Sequence, residues 1–220
     1  MIVSEVETLR EGNAQGGHGG RAVAGAVESN WRRDLQEEMA RAVADGRWGR
    51  ALRGVAWVHL GCFLVCHILF DPAIRGDLII PFVWGLELAA VLGVLRWSVG
   101  PGWYRESAAV ALVAKFWTTF LILSFNVAAL NTLSGLSRDW FKPVWGTLST
   151  FFFASLAWLF NPWFFAPAVQ MWATGLVMTA FPRWNYLIYG VSWWIALQGV
   201  GWWLSRPRRG AGVILDPRSD

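Results

Sequence analysis

Glu87 and Lys115 each interrupt a long apolar stretch, and an ionisable side chain in such a setting calls for a partner. At helical rise Glu87 falls about 15 Å from the end of its stretch, and Lys115 about 10 Å from the same side. The two stretches are joined by a short connection, so they are expected as antiparallel neighbours. The long lysine stem closes the remaining difference. The pair reads first as an interhelical salt bridge that locks the structure, and second as a transport or proton-relay site. Asn126 and Gln170 are the amides that would join them in lining a polar cavity, along with Ser124, Asn131, Thr132 and Gln198. The simpler reading of those groups is hydrogen bonding across helices, each worth about 1 kcal/mol.

His59, Cys62, Cys66 and His67 are the residue types that suggest metal or haem. All four belong to one apolar stretch, and consecutive turns of one helix cannot close a tetrahedral site. The two histidines stand about 12 Å apart along such a helix and point roughly 80° apart, too divergent for one haem. No cofactor and no metal are expected, with a redox protein using His59 or His67 kept as a third reading. His59 is expected as a satisfied buried group and His67 near an interface. The cysteines, one turn apart, are read as small buried hydrophobes.

Other catalytic signatures are missing. The chain has no Gly-x-Ser-x-Gly, no His-Glu-x-x-His, no phosphate-binding glycine loop and no aspartate-rich motif for Mg²⁺. The expectation is a protein that is not an enzyme.

The elements that must position these groups follow from composition. Seventeen of 220 residues are tryptophan, most in or beside apolar runs, where an indole can keep its N–H wet and its ring among acyl chains. About 20 apolar residues make one span. The pattern predicts six spans near 54–70, 78–97, 108–133, 144–160, 163–181 and 184–205. Taken as one helix, 144–181 would reach roughly 57 Å, so it must turn back, and Asn161-Pro162 is the place. The expected fold is all-α: a six-helix transmembrane bundle preceded by an amphipathic helix.

Ahead of the spans, residues 1–29 are glycine-rich and expected to be disordered. Over 30–53, Trp31, Leu35, Met39 and Val43 recur every four residues among charges, predicting an amphipathic helix with Asn30 as N-cap and Gly46 as stop. Arg47, Arg50 and Arg53 then lead to the membrane domain, 54–205, and a basic tail, 206–220, follows it. No signal peptide is expected at the start.

Six spans put both termini on one side, which twelve basic residues mark as cytoplasmic. Six lie between Arg32 and Arg53, four in the tail, and the others are Arg96 and Arg105; only Arg75, Arg138, Lys142 and Arg183 lie opposite. Gly85, Ala89 and Gly93 form a small-residue ridge suited to close packing, inside the chain or against a second copy or another membrane protein. The bilayer is the expected partner, and nucleic acid is not.

The layout over about 31–205 resembles the membrane module that follows the kinase domain in some large-genome bacterial Ser/Thr protein kinases. The shared features are Trp31-Arg32-Arg33, the basic run Arg47 to Arg53, His59 and His67 in the first span, and Pro81 opening the second. Phe181-Pro182 and Tyr189-Gly190 in the last span complete them. The kinase glycine loop and catalytic aspartates have no counterparts. The resemblance therefore implies a free-standing membrane part in a bacterial inner membrane, without phosphoryl transfer. Together these readings predict a non-catalytic scaffold or signalling-associated module, with a small transporter or channel around Glu87 and Lys115 as the alternative.

Overall fold

A computed structural model describes residues 30–69, 79–133 and 141–206. The glycine-rich 1–29, the tail beyond Arg206, Asp71-Pro72, Arg75 and the connection with Arg138 and Asp139 lie outside the described residues.

The described chain is all-α, as its periodicity predicts. A helix spans 30–42 (α1), followed by α2 (Arg47–Leu69), α3 (Ile79–Ser98), α4 (Ala108–Leu133), α5 (Phe141–Leu159), α6 (Phe165–Ala180) and α7 (Asn185–Leu204). Gly46 adopts φ 69°, a left-handed conformation that suits glycine, and ends the turn between α1 and α2. The basic approach to the first apolar run is not a separate segment. Arg47 to Arg53 are helical, so α2 starts a full two turns before the expected residue 54. Asn161 breaks the later run as expected: its Oδ1 accepts from the Trp163 amide at 2.9 Å, and Pro162 opens a 3-10 turn into α6. Pro182 opens a second such turn into α7.

Two of these helices, Arg47–Leu69 and the Ala108–Asn131 part of α4, are long and apolar enough to cross a membrane.

The helices stand in a curved row, α3–α2–α7–α6–α5–α4, in which each packs on its neighbours. Two glycine contacts set its tightest joints. A Cβ on Gly146 would lie 2.6 Å from the Gly175 Cα, bringing α5 and α6 backbone to backbone. A Cβ on Gly49 would lie 2.6 Å from the Gly201 carbonyl oxygen, which does the same for α2 and α7. The ridge singled out in sequence behaves differently. Gly85, Ala89 and Gly93 face outward, and Gly85 and Gly93 have open space where a Cβ would stand.

The two ends of the row, α3 and α4, are consecutive in the chain yet not close-packed. The expectation that they would be tight antiparallel neighbours does not hold, because α3 spends its contacts on α2. Large side chains bridge the gap instead: Trp84 meets Phe125 edge-on at 5.5 Å. Beneath the bundle lies α1. Leu35 and Val43 are buried in or against it, whereas Trp31 stays exposed. Glu38 anchors this helix by accepting from the Ala109 amide at 3.1 Å, which places a carboxylate on the α4 N-terminus.

Candidate functional site

Opening the row between α3 and α4 leaves a cavity of about 480 Å³ inside it, lined from every helix except α6. Helical periodicity builds its walls. Leu52, Val55, His59 and Phe63 share one face of α2, and Trp84, Glu87, Val91 and Leu95 share one face of α3. Val110, Ala114, Trp117, Leu121 and Ser124 supply the α4 wall, and Met39 and Val43 of α1 form the floor. Glu87 is thus a single acid set in an apolar stripe.

Its partner is His59. The imidazole Nδ1 and the carboxylate Oε1 are 2.5 Å apart, with the two side chains only 16% and 13% exposed. A nitrogen lone pair and a carboxylate oxygen would repel at that separation, so a proton lies between them. The second ring nitrogen, Nε2, is buried without a hydrogen-bond partner. Aromatic rings enclose it: Phe63 at 4.4 Å, Trp193 at 5.5 Å and Tyr189 at 6.2 Å between ring centres. With the Nε2 proton present the pair is neutral; without it the pair carries one negative charge in an apolar wall, the costlier state unless a cation comes to it.

The aromatic lining forms a connected set. Trp84 contacts Trp145 at 5.2 Å, Trp145 contacts Tyr189 at 5.6 Å, and Phe153 contacts Trp193 at 5.1 Å. Ser149 donates to the Trp145 carbonyl at 2.7 Å, which uses its only hydrogen, so the Tyr189 hydroxyl donates to Ser149 at 2.8 Å. The Trp193 and Trp84 indoles come near the Tyr189 hydroxyl and the Cys66 thiol without reaching hydrogen-bond geometry. Ser124 Oγ, on the α4 wall, is also buried without a partner.

The four residues expected around a polar site are not brought together. Glu87 lines the cavity; Lys115 is exposed on α4, in a shallow groove shared with α5, and makes no ion pair with Glu87. Asn126 is exposed. Gln170 donates to the Ser192 carbonyl at 2.8 Å, and Thr174 bonds Ser192 Oγ at 2.8 Å, so this group joins α6 to α7 by interhelical hydrogen bonds. Gln198 plays a similar part toward the Arg53 carbonyl at 3.5 Å. His59, expected to be satisfied, is satisfied at one nitrogen alone. His67 stacks on Trp184 at 5.1 Å, and both cysteines are free thiols. Among the described residues no group of three or more His, Cys, Asp and Glu side chains could hold a metal ion.

Sequence reasoning missed two features. The lining role of Tyr189 and Trp193 was available from their four-residue spacing on one face of α7. Lys142, read as part of a connection, is helical and only 1% exposed, with its ammonium 4.8 Å from the Tyr186 ring centre.

At the α1 end the polar groups form a collar. Arg47 pairs with Asp45, reaches Glu106 at 3.3 Å, and donates to the Val99 carbonyl at 2.8 Å. Slight burial works against the charged Asp45, but the Arg47 amide and guanidinium outweigh it and hold the carboxyl below its ordinary value. Trp48 adds an indole N–H to Glu106 at 3.3 Å.

No family model matches the chain, and comparison with curated proteins and with solved structures gives no match either.

Proposed function

We propose that this chain is a polytopic membrane protein of six spans, α2 to α7, that binds an apolar or amphiphilic molecule in its central cavity without catalysis. The observation that carries the reading is the cavity of about 480 Å³, lined mostly by apolar and aromatic side chains, with the His59–Glu87 pair on one side and Gln36, Ser124 and Asn161 as its other polar lining residues. That volume is in the range that small ligands fill, and a few placed polar groups in an apolar pocket are what orient them.

The membrane setting rests on the outer surface. Phe82, Leu86, Ile122, Phe151, Val169 and Ile195 all point outward, an apolar exposure that water would penalise over so large an area. Trp97, Trp158, Trp163 and Trp202 are exposed toward one end of the bundle and Trp184 toward the other, as in the aromatic belts of membrane proteins. The shorter helices fit this setting as well. At sixteen residues α6 is about 24 Å long, which local thinning of the bilayer accommodates. The four tryptophans of α7 suit the interface. The excess of arginine at the α1 end supports cytoplasmic termini, and the resemblance to the kinase-associated module supports a sensory role in a bacterial inner membrane.

A small transporter is the second reading, favoured by the gap between α3 and α4, through which a molecule could enter from the lipid. The outward ridge of Gly85, Ala89 and Gly93 offers a face for self-association or another membrane protein.

The test is binding of the neutral fluorophore N-phenyl-1-naphthylamine to protein in lipid nanodiscs, read by energy transfer from tryptophan. Saturable transfer that disappears when Ala114→Trp fills the cavity is expected. Transfer that is linear in probe, or equal in the filled variant, would show lipid partitioning only and remove the reading.

A further inference from the structure

Resting on the cavity-binding reading, we infer that the ligand is a lipophilic organic cation, and that it binds in exchange for one proton of the His59–Glu87 pair. Three observations lead there. Among the described residues Glu87 is the one carboxylate on the cavity wall, and no Lys or Arg lines that cavity to neutralise it. The rest of the surround is rich in aromatic rings, with Trp84, Trp145, Tyr189, Trp193 and Phe120 among the lining residues, and aromatic rings attract cations, most of all where water is excluded. The third is the hydrogen-bond geometry. His59 holds Glu87 by one nitrogen at 2.5 Å while its other nitrogen has no partner, so the pair can gain or lose one proton without breaking its own contact.

These facts make the site a place for one positive charge. In the resting form that charge is the second proton on the pair, giving an imidazolium beside a carboxylate. When an organic cation enters, the imidazolium releases one proton to water and becomes neutral. Its remaining N–H still donates to Glu87, whose carboxylate is now the counter-ion of the ligand. Charge balances on both sides, and an apolar wall disfavours the two alternatives, an uncompensated carboxylate and a doubly positive site.

The neighbours do not disturb this accounting. Among the described residues, Cys62 and Cys66 on α2 and Tyr189 on α7 are the titratable groups that sense Glu87 besides His59. The walls from α1 and α5 bring only neutral groups, such as Gln36 and Trp145, and Lys115 of α4 belongs to the groove against α5. Arg53 and Arg96 are not among the residues that line the cavity.

The experiment uses the full chain in nanodiscs with tetraphenylphosphonium, a cation with no proton of its own. Its Kd is measured by calorimetry from pH 5.5 to 8, with proton release read in weak buffer by an indicator dye. Naphthylamine binding is measured in parallel. The expected results are saturable cation binding, release approaching one proton per cation at the acid end, and a Kd that falls about tenfold per pH unit while the pair is protonated. Glu87→Gln is expected to lose cation affinity at least tenfold, a larger loss than it shows for the neutral probe. If that variant fails to fold, the wild-type pH series alone decides the matter. Neutral-probe binding with no cation binding would overturn the inference and leave the cavity reading intact. Cation binding without pH dependence or proton release would overturn it as well. Binding of neither probe would remove the cavity reading and the inference with it.

Discussion

His59 Nδ1 meets Glu87 Oε1 at 2.5 Å across the α2–α3 interface. The two residues lie about 18 Å along α2 from Arg47 and about 17 Å along α3 from Ser98, respectively. Arg47 itself reaches the carbonyl of Val99, just beyond α3, so those helix ends are level and the pair sits at a common depth. A buried imidazole with one bonded nitrogen thus ties the two helices in register.

Removing one partner should cost more than removing both. Glu87→Leu leaves His59 without a hydrogen-bond partner at either nitrogen, and a loss of about 1–3 kcal/mol is expected. The double change with His59→Leu should recover part of that loss. Thermal unfolding of the two single variants and the double variant reads the coupling; additive losses would mean that the contact carries no energy.

Lys115→Met is expected to change stability by less than about 0.5 kcal/mol, because the side chain is exposed and does not reach Glu87. A loss comparable with that of Glu87→Leu would point to a partnership between those two residues after all.

The glycines divide into two classes with opposite outcomes. Gly146→Ala presses a methyl onto the Gly175 backbone and should destabilise by about 1–3 kcal/mol. Gly85→Ala meets open space and should be neutral or gain up to about 1 kcal/mol from helix propensity. Melting temperatures of the two variants, measured in the same lipid, give the comparison. A loss at Gly85 in dimeric but not monomeric preparations would identify the outward ridge as a self-association face.

Acid should loosen the turn between α1 and α2. The Asp45 carboxyl is held below its ordinary value of 3.8 by Arg47, so its contribution is full at neutral pH and is lost as pH falls below that value. Hydrogen exchange of the amides over 43–50 should quicken there, and Asp45→Asn should abolish that acid step. An identical acid profile in the variant would assign the step elsewhere.

Much of the architecture was readable in the residues. Gly46 and Asn161-Pro162 punctuate the chain where backbone chemistry requires it, and the four-residue spacing of Leu35, Met39 and Val43 marks the docked face of α1. The partner of Glu87 was not readable, for two reasons. Chain adjacency pointed to α4, whereas the packing partner of α3 is α2. His59 was also expected as a buried group with no named partner, and a span taken to begin near residue 54 did not match its depth to that of Glu87. The helical start at Arg47 restores the matching depth. Periodicity indicates which residues share a face, but not which helix that face meets, and the cavity is a property of that meeting.

The measurement that bears most directly on the account is the reaction of the intact protein with dicyclohexylcarbodiimide, an apolar carboxyl reagent, located by peptide mass spectrometry. Glu87 should be modified from the lipid phase, and much more slowly in Ala114→Trp, while a water-soluble carbodiimide leaves it untouched. Equal modification of Glu87 by both reagents, or none by the apolar one under any condition, would contradict a carboxyl held in an apolar, membrane-accessible cavity.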